Sequence, residues 1–223
     1  MSVELPEVDK IVRLLGTYNF RDKALRNIYF SLIILSTKIK DEELAKRIFA
    51  LAKQLSLTRL ILRQLNHLPL VFSLTKIPQD LETSTDRIDT GLNASVSLIY
   101  TIQCFVEFTA WIADSKLITL DAGRWFRWSL YLWIAAMTVG VVRLFRRILY
   151  LEPIHDRFNG PPVDKQILDA RQADRITLMG LSCDLIAGVS SLPHRFLWAG
   201  RLSKQTHGTL SLIASAVGLY KLL

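Results

Sequence analysis

Between Arg127 and Arg143 the chain runs for fifteen residues without a charge, inside the stretch "RWFRWSLYLWIAAMTVGVVRLFRR" at 124–147. A segment this apolar is stable only where its surface is hidden from water, in a protein core or in a bilayer. Fifteen residues fall short of the roughly 20 that cross hydrocarbon. Arginine stems, however, can run along lipid and carry their charged heads to the headgroups. Counted from Trp125 to Phe145 the segment has 21 residues, about 30 Å of helix. Trp125, Trp128, Tyr131 and Trp133 gather toward one end, as interfacial aromatics do. The stretch reads as a membrane span near 125–145.

Composition supports a protein that is partly embedded and partly wet. Half of the 223 residues are hydrophobic and mean hydropathy is +0.26, yet the net charge is +8. The first two values are high for an average soluble domain, and the charge is high for a compact bundle of spans. Lysine and arginine are spread along the chain without a nucleic-acid motif, so anionic membrane lipids, not nucleic acid, are the expected partner. Cys104 and Cys183 lie 79 positions apart in apolar stretches, which indicates neither a disulfide framework nor a metal site. His67, His155, His194 and His207 lack metal-ligand spacing, and no nucleophile elbow, phosphate loop or dinucleotide fingerprint is present. No enzyme activity, metal or cofactor is expected. Acidic residues before the first apolar run argue against a secretory signal and a mitochondrial presequence. The sequon at Asn93 is too short a pattern to indicate secretion.

The periodicity is helical throughout, with no sustained alternation of the strand type. The fold expected is all-α: a multi-helix integral membrane protein with N-terminal amphipathic helices and about two transmembrane helices. A helix of about ten residues follows Pro6. A second begins near Asn19, with Asn19 and Asp22 as a loose capping pair. A third is opened by Asp41, Glu42 and Glu43 and runs to about Pro69. This gives amphipathic helices over 1–75, a polar linker over 76–93 and a membrane-embedded region over 94–223. Within that region 94–113 carries Glu107 and makes a poor span, whereas 206–223 reads as a second, shorter span. Asp184 lies in apolar surroundings, and pairing of Glu107 or Asp184 with an arginine such as Arg195 is expected. If instead they line a water path, the protein is a small-solute channel or transporter.

The third helix has the most informative pattern. At 100° per residue, Leu44, Ile48, Leu51, Leu55 and Leu62 fall within about 30° of one line. Lys46 and Lys53 lie almost opposite, Arg47 and Arg59 at the edges and Arg63 to one side. Five basic residues and no acid occur between Leu44 and Arg63. A helix of this kind lies in the membrane interface, its leucines roughly 5–10 Å deep and its cations near anionic headgroups. Inserted in one leaflet, it acts as a wedge and curves the bilayer.

Several stretches resemble the peroxisomal membrane protein 11 family, in particular its gamma-type branch. "RDKALRNIYF" is similar to its N-terminal Arg-Asp-Lys block, and "LAKQLSLTRLILR" to its Ser-x-x-Arg-x-x-x-Arg segment, here Ser56, Arg59 and Arg63. "FTAWIADSKLI", "RWFRWSLYLW", "GVVRL" and "LPHRFLWAGRL" follow in the family's order, and "GTLSLIASAVGLY" resembles its ending, with Ala214 where a serine is usual. The resemblance implies remodelling, elongation and division of the peroxisomal membrane, a multi-pass topology with cytosolic termini, and work with fission factors of the dynamin type. It also implies homo-oligomers or hetero-oligomers with family members. Ala136 with Gly140, and Ala214 with Gly218, supply small-xxx-small pairs for close helix packing.

Overall fold

Side-chain caps set where most of the helices start. Thr17 accepts a hydrogen bond from the Phe20 amide and opens α2 (Tyr18–Lys38) directly after α1 (Pro6–Gly16). Asp41 accepts from the Glu43 and Leu44 amides at 2.9 and 3.2 Å and opens α3 (Glu42–Arg63). Two short helices follow, α4 (His67–Leu74) and α5 (Ile77–Thr83). Asp86 caps α6 (Arg87–Asp114) and Asp121 caps α7 (Ala122–Arg146). A π turn (Arg147–Leu151) carries α7 into α8 (Glu152–Asn159). Asp164 and Ser203 then cap α9 (Lys165–Ser190) and α10 (Lys204–Tyr220). Each cap satisfies amide donors that a helix start leaves free. The computed structural model describes residues 6–64, 67–160, 162, 164–193 and 196–223, and among these every regular element is helical.

Three helix boundaries differ from the sequence reading. Thr17, not Asn19, caps α2, and Asp22 is engaged with Arg59 instead of a capping box. Residues 76–93 are no linker, because α5 and the first turns of α6 occupy them; their polar composition reflects helix caps and ion pairs. The third helix stops at Arg63, and Pro69 sits in the first turn of α4, where its missing amide hydrogen leaves no bond unmade.

The chain forms two compact units, Met1–Leu62 with Ser203–Leu223, and Arg63–Leu202. In the first, α10 lies antiparallel on α2 through a stripe of small residues. A side chain at Gly208 would meet Ile34 at 3.1 Å, and one at Gly218 would meet the Lys23 stem at 3.2 Å. Ser211, Ala214 and Ser215 are buried on the same stripe. The second span expected at 206–223 falls on this helix, which at 17 residues is about 25 Å long, at the short end of what crosses hydrocarbon.

In the second unit α6 and α7 form an antiparallel hairpin with one constant register. Gln103 donates to Ser129 at 3.1 Å in its interior, Arg143 holds Asp89 at 2.8 Å and Asn93 at 2.7 Å, and Arg146 holds Asp86. The hydrogen bond from Arg146 keeps the Asp86 carboxyl below the usual carboxylate range. Two helices here are long and apolar enough to cross a bilayer, Arg87–Asp114 and the continuous rod Ala122–Phe158. The 94–113 segment, expected to be a poor span, therefore belongs to a helix long and apolar enough to cross a bilayer. Its one charge, Glu107, is neutralised by Arg63 at 3.0 Å. The same register sets Glu107 level with Trp125, near the arginine-rich end of α7.

Helix α9 packs antiparallel on the other side of α7. A Cβ at Gly140 would touch Leu181 at 3.4 Å, and one at Gly188 would meet Trp133, Ile134 and Met137 at 3.0–3.3 Å. Gly188→Leu would overpack this seam, at a cost of about 1–3 kcal/mol. A lower unfolding temperature in detergent, with helical content retained at low temperature, is the expected result; an unchanged midpoint would show that α7 and α9 do not meet here.

Candidate membrane-contact site

On α3 the leucine line and the packed face do not coincide. Ala52 and Leu60 are buried and Ala45, Ile48, Leu55, Ser56, Arg59 and Arg63 are half-buried, which puts the covered side about 70° round the helix from the centre of the leucine line. Ile48, Leu55 and Leu62 are thus partly covered. Leu44 and Leu51 remain 46% and 50% exposed and form the free edge. Phe49, Leu57 and Ile61 are also exposed, on other sides of the helix.

The cations separate into three kinds. Arg59 is a structural ion-pair member: its guanidinium donates to Asp22 at 2.9 Å, with 12% and 11% of the two side chains exposed. Arg63 is held by Glu107. Neither is available to a headgroup in this conformation, which corrects the expectation that both contact anionic lipid; their partners lie 37 and 44 residues away and leave no local pattern. Lys46 and Lys53 are exposed but point nearly opposite to the leucine line, away from a bilayer that receives Leu44 and Leu51. Arg47, 76% exposed and 3.5 Å from Glu43, stands beside the free leucine edge. It is the cation best placed for phosphate.

The small-residue pairs are occupied within the chain. Ala136 is 1% exposed and Gly140 faces Leu181, while Ala214 is buried and Gly218 faces Lys23. Within the chain Gly140 thus meets α9 and Gly218 meets α2.

Burial raises the pKa of Tyr29 on α2, partly offset by the nearby Arg59 charge, so the Asp22–Arg59 pair sits beside a dehydrated surface. Of the acids in the second unit, Glu107 is 12% exposed and ion-paired, and Asp184 is 8% exposed. Arg195, expected as their partner, and His194 lie outside the described residues. Among the described residues no group of three or more His, Cys, Asp or Glu is arranged to hold a metal ion. An open groove of about 390 Å³ lies between the π turn, α8 and α9, lined by Arg147, Glu152, Arg171 and Asp174 among others.

A family model described as peroxisomal biogenesis factor 11 (PEX11) matches residues 8–223. The chain is 26% identical over 226 residues to "Peroxisomal membrane protein 11C" of Homo sapiens, covering 93% of this chain and 90% of that protein. It is 24% identical over 222 residues to the Mus musculus protein of the same name, with 93% and 91% covered. No solved structure matches significantly.

Removing one member of a buried ion pair leaves the other charge without compensation and costs roughly 3–5 kcal/mol. Arg59→Leu should therefore lower the unfolding midpoint of the detergent-solubilised protein strongly, whereas the double change Asp22→Leu with Arg59→Leu should restore most of the loss. If the double variant is no more stable than the single one, the pair is not what holds α3 to α2.

Proposed function

The chain belongs to the peroxisomal biogenesis factor 11 family, and from that premise we propose that it elongates and curves the peroxisomal membrane by laying α3 into one leaflet. The family is one of peroxisomal membrane proteins concerned with peroxisome biogenesis. The observation that carries it is the free edge of α3. Leu44 and Leu51 stand exposed beside Arg47, while the face toward α2 is held by Asp22 and Arg59. A bilayer can receive those leucines from the side without breaking the ion pair.

Each leucine moved from water into the apolar boundary contributes about 2 kcal/mol. Two of them, assisted by about 1 kcal/mol from a nearby cation, suffice to hold a helix already tethered by spanning segments. Because α3 occupies one leaflet only, its volume enlarges that leaflet's area relative to the other. Spontaneous curvature results. The same reading includes hand-off of the elongated membrane to dynamin-type fission factors, cytosolic termini, and association with further copies or family members through surfaces other than the two small-residue seams.

A direct test uses the full-length protein in anionic liposomes. Leu44→Glu with Leu51→Glu should abolish tubulation, since both side chains lose their apolar transfer and gain a charge repelled by the lipid, about 4 kcal/mol or more in all. Both positions are exposed, so helical content and unfolding temperature should remain as in the unaltered protein. Tubulation at the unaltered rate would remove the wedge mechanism.

A further inference from the structure

The rod from Ala122 to Phe158 is 37 residues long. Upright, its part from Trp128 to Phe158 extends about 45 Å, and even at 40° of tilt it exceeds the roughly 30 Å of hydrocarbon. Its last turns must therefore leave the hydrocarbon slab. In a segment leaving toward water, the polar side chains should face outward. Glu152 and Asp156 instead turn toward α9, while His155 and Arg157 are exposed.

Glu152 is 12% exposed and takes Arg175 at 2.7 Å, Asp156 takes Arg171 at 2.7 Å, and Arg147 takes Asp174 at 3.1 Å. The polar side of the π turn and α8 is thus covered by ion pairs to α9. On the opposite side Leu149, Tyr150 and Phe158 are 68%, 60% and 80% exposed, and Pro153, Ile154 and Arg157 are exposed with them.

The π turn explains how this stripe stays in line. At 100° per residue, Trp128, Tyr131, Val142, Phe145 and Leu149 share the exposed side of α7. An uninterrupted α-helix would carry Ile154 and Phe158 about 120–160° away from Val142. One residue inserted by a π turn sets the following positions back by about 100°, which returns both to the exposed side. The same shift keeps Glu152 and Asp156 in line with Leu144 and Arg147, toward α9.

We propose that residues 149–158 form a second lipid-contact site, in which Leu149, Tyr150, Ile154 and Phe158 lie in the boundary between acyl chains and headgroups and Arg157 meets lipid phosphate. Continuity with the lipid-facing side of α7 identifies the occupant as the same bilayer. An amphipathic surface with aromatic rings and a cation suits that boundary. The site is independent of α3, and its failure would leave the wedge untouched.

The test is made on the full chain in liposomes of phosphatidylcholine and phosphatidylserine. Nitroxides at Ile154→Cys and Phe158→Cys, in a background with Cys104→Ser and Cys183→Ser, should collide with oxygen in preference to a water-soluble nickel chelate; a label at Lys165→Cys should show the reverse. Preference for the chelate at 154 and 158 would overturn the proposal, and so would shielding from both reagents, which would mean protein contact. A second measurement keeps the native cysteines. Trypsin should cut after Arg157 slowly in the unaltered protein. With Ile154→Glu and Phe158→Glu it should cut about tenfold faster or more, the factor for at least one such side chain leaving the apolar boundary. Equal cleavage rates would overturn the proposal.

Discussion

A helix with lipid outside must bring its charges to partners inside, and that constraint organises the Arg63–Leu202 unit. Asp89, Asn93 and Asp86 of α6 meet Arg143 and Arg146 of α7, and the carboxylates of α8 meet arginines of α9. Each pair removes two charges from a surface that would otherwise face hydrocarbon or its boundary. Each also fixes register, because an arginine fork donates to a carboxylate in few geometries. The apolar side chains then need only face outward, and many do, among them Phe105, Trp128, Val142 and Phe145. Such a surface is unfavourable in water and ordinary in a bilayer.

The Met1–Leu62 and Ser203–Leu223 unit follows a different logic. It contains charges on α2 beside small residues on α10, and the closest approaches are to aliphatic stems and isoleucine branches. Close packing through glycine and serine lets a 17-residue helix hold its place on α2 by contact area. The Asp22–Arg59 pair adds α3 to the same unit while leaving one of its edges open. A helix bound on one side and free on the next is suited to meeting a membrane without first unfolding its own tertiary contacts.

What could be read in the sequence was whatever is encoded locally. The helix over 125–145 and the helix opened by Asp41 follow from neighbours within a few turns, and both appear in the structure as α7 and α3. What could not be read depends on distant partners. Glu107 made 94–113 look unfit for a membrane only because Arg63, 44 residues earlier, is invisible to a sliding window. Arg59 looked like a headgroup cation because Asp22 is 37 residues away. The polar residues at 76–93 suggested a linker because a cap and an ion-pair rim are as polar as a loop.

The π turn shows the limit in its sharpest form, since a periodicity argument assumes that the period is kept. From Ala122 to Arg146 the 3.6-residue repeat places the exposed and covered sides correctly. Beyond Arg147 the same repeat would turn Ile154 and Phe158 toward α9 and swing Glu152 out. A single extra residue per turn reverses that assignment, at the cost of one poorer set of backbone hydrogen bonds. The reason for tolerating it lies in the ion pairs: only with the phase set back do Glu152 and Asp156 reach Arg175 and Arg171. The carboxylates therefore fix the helix phase, and the outward row of Leu149, Tyr150, Ile154 and Phe158 is its geometric consequence.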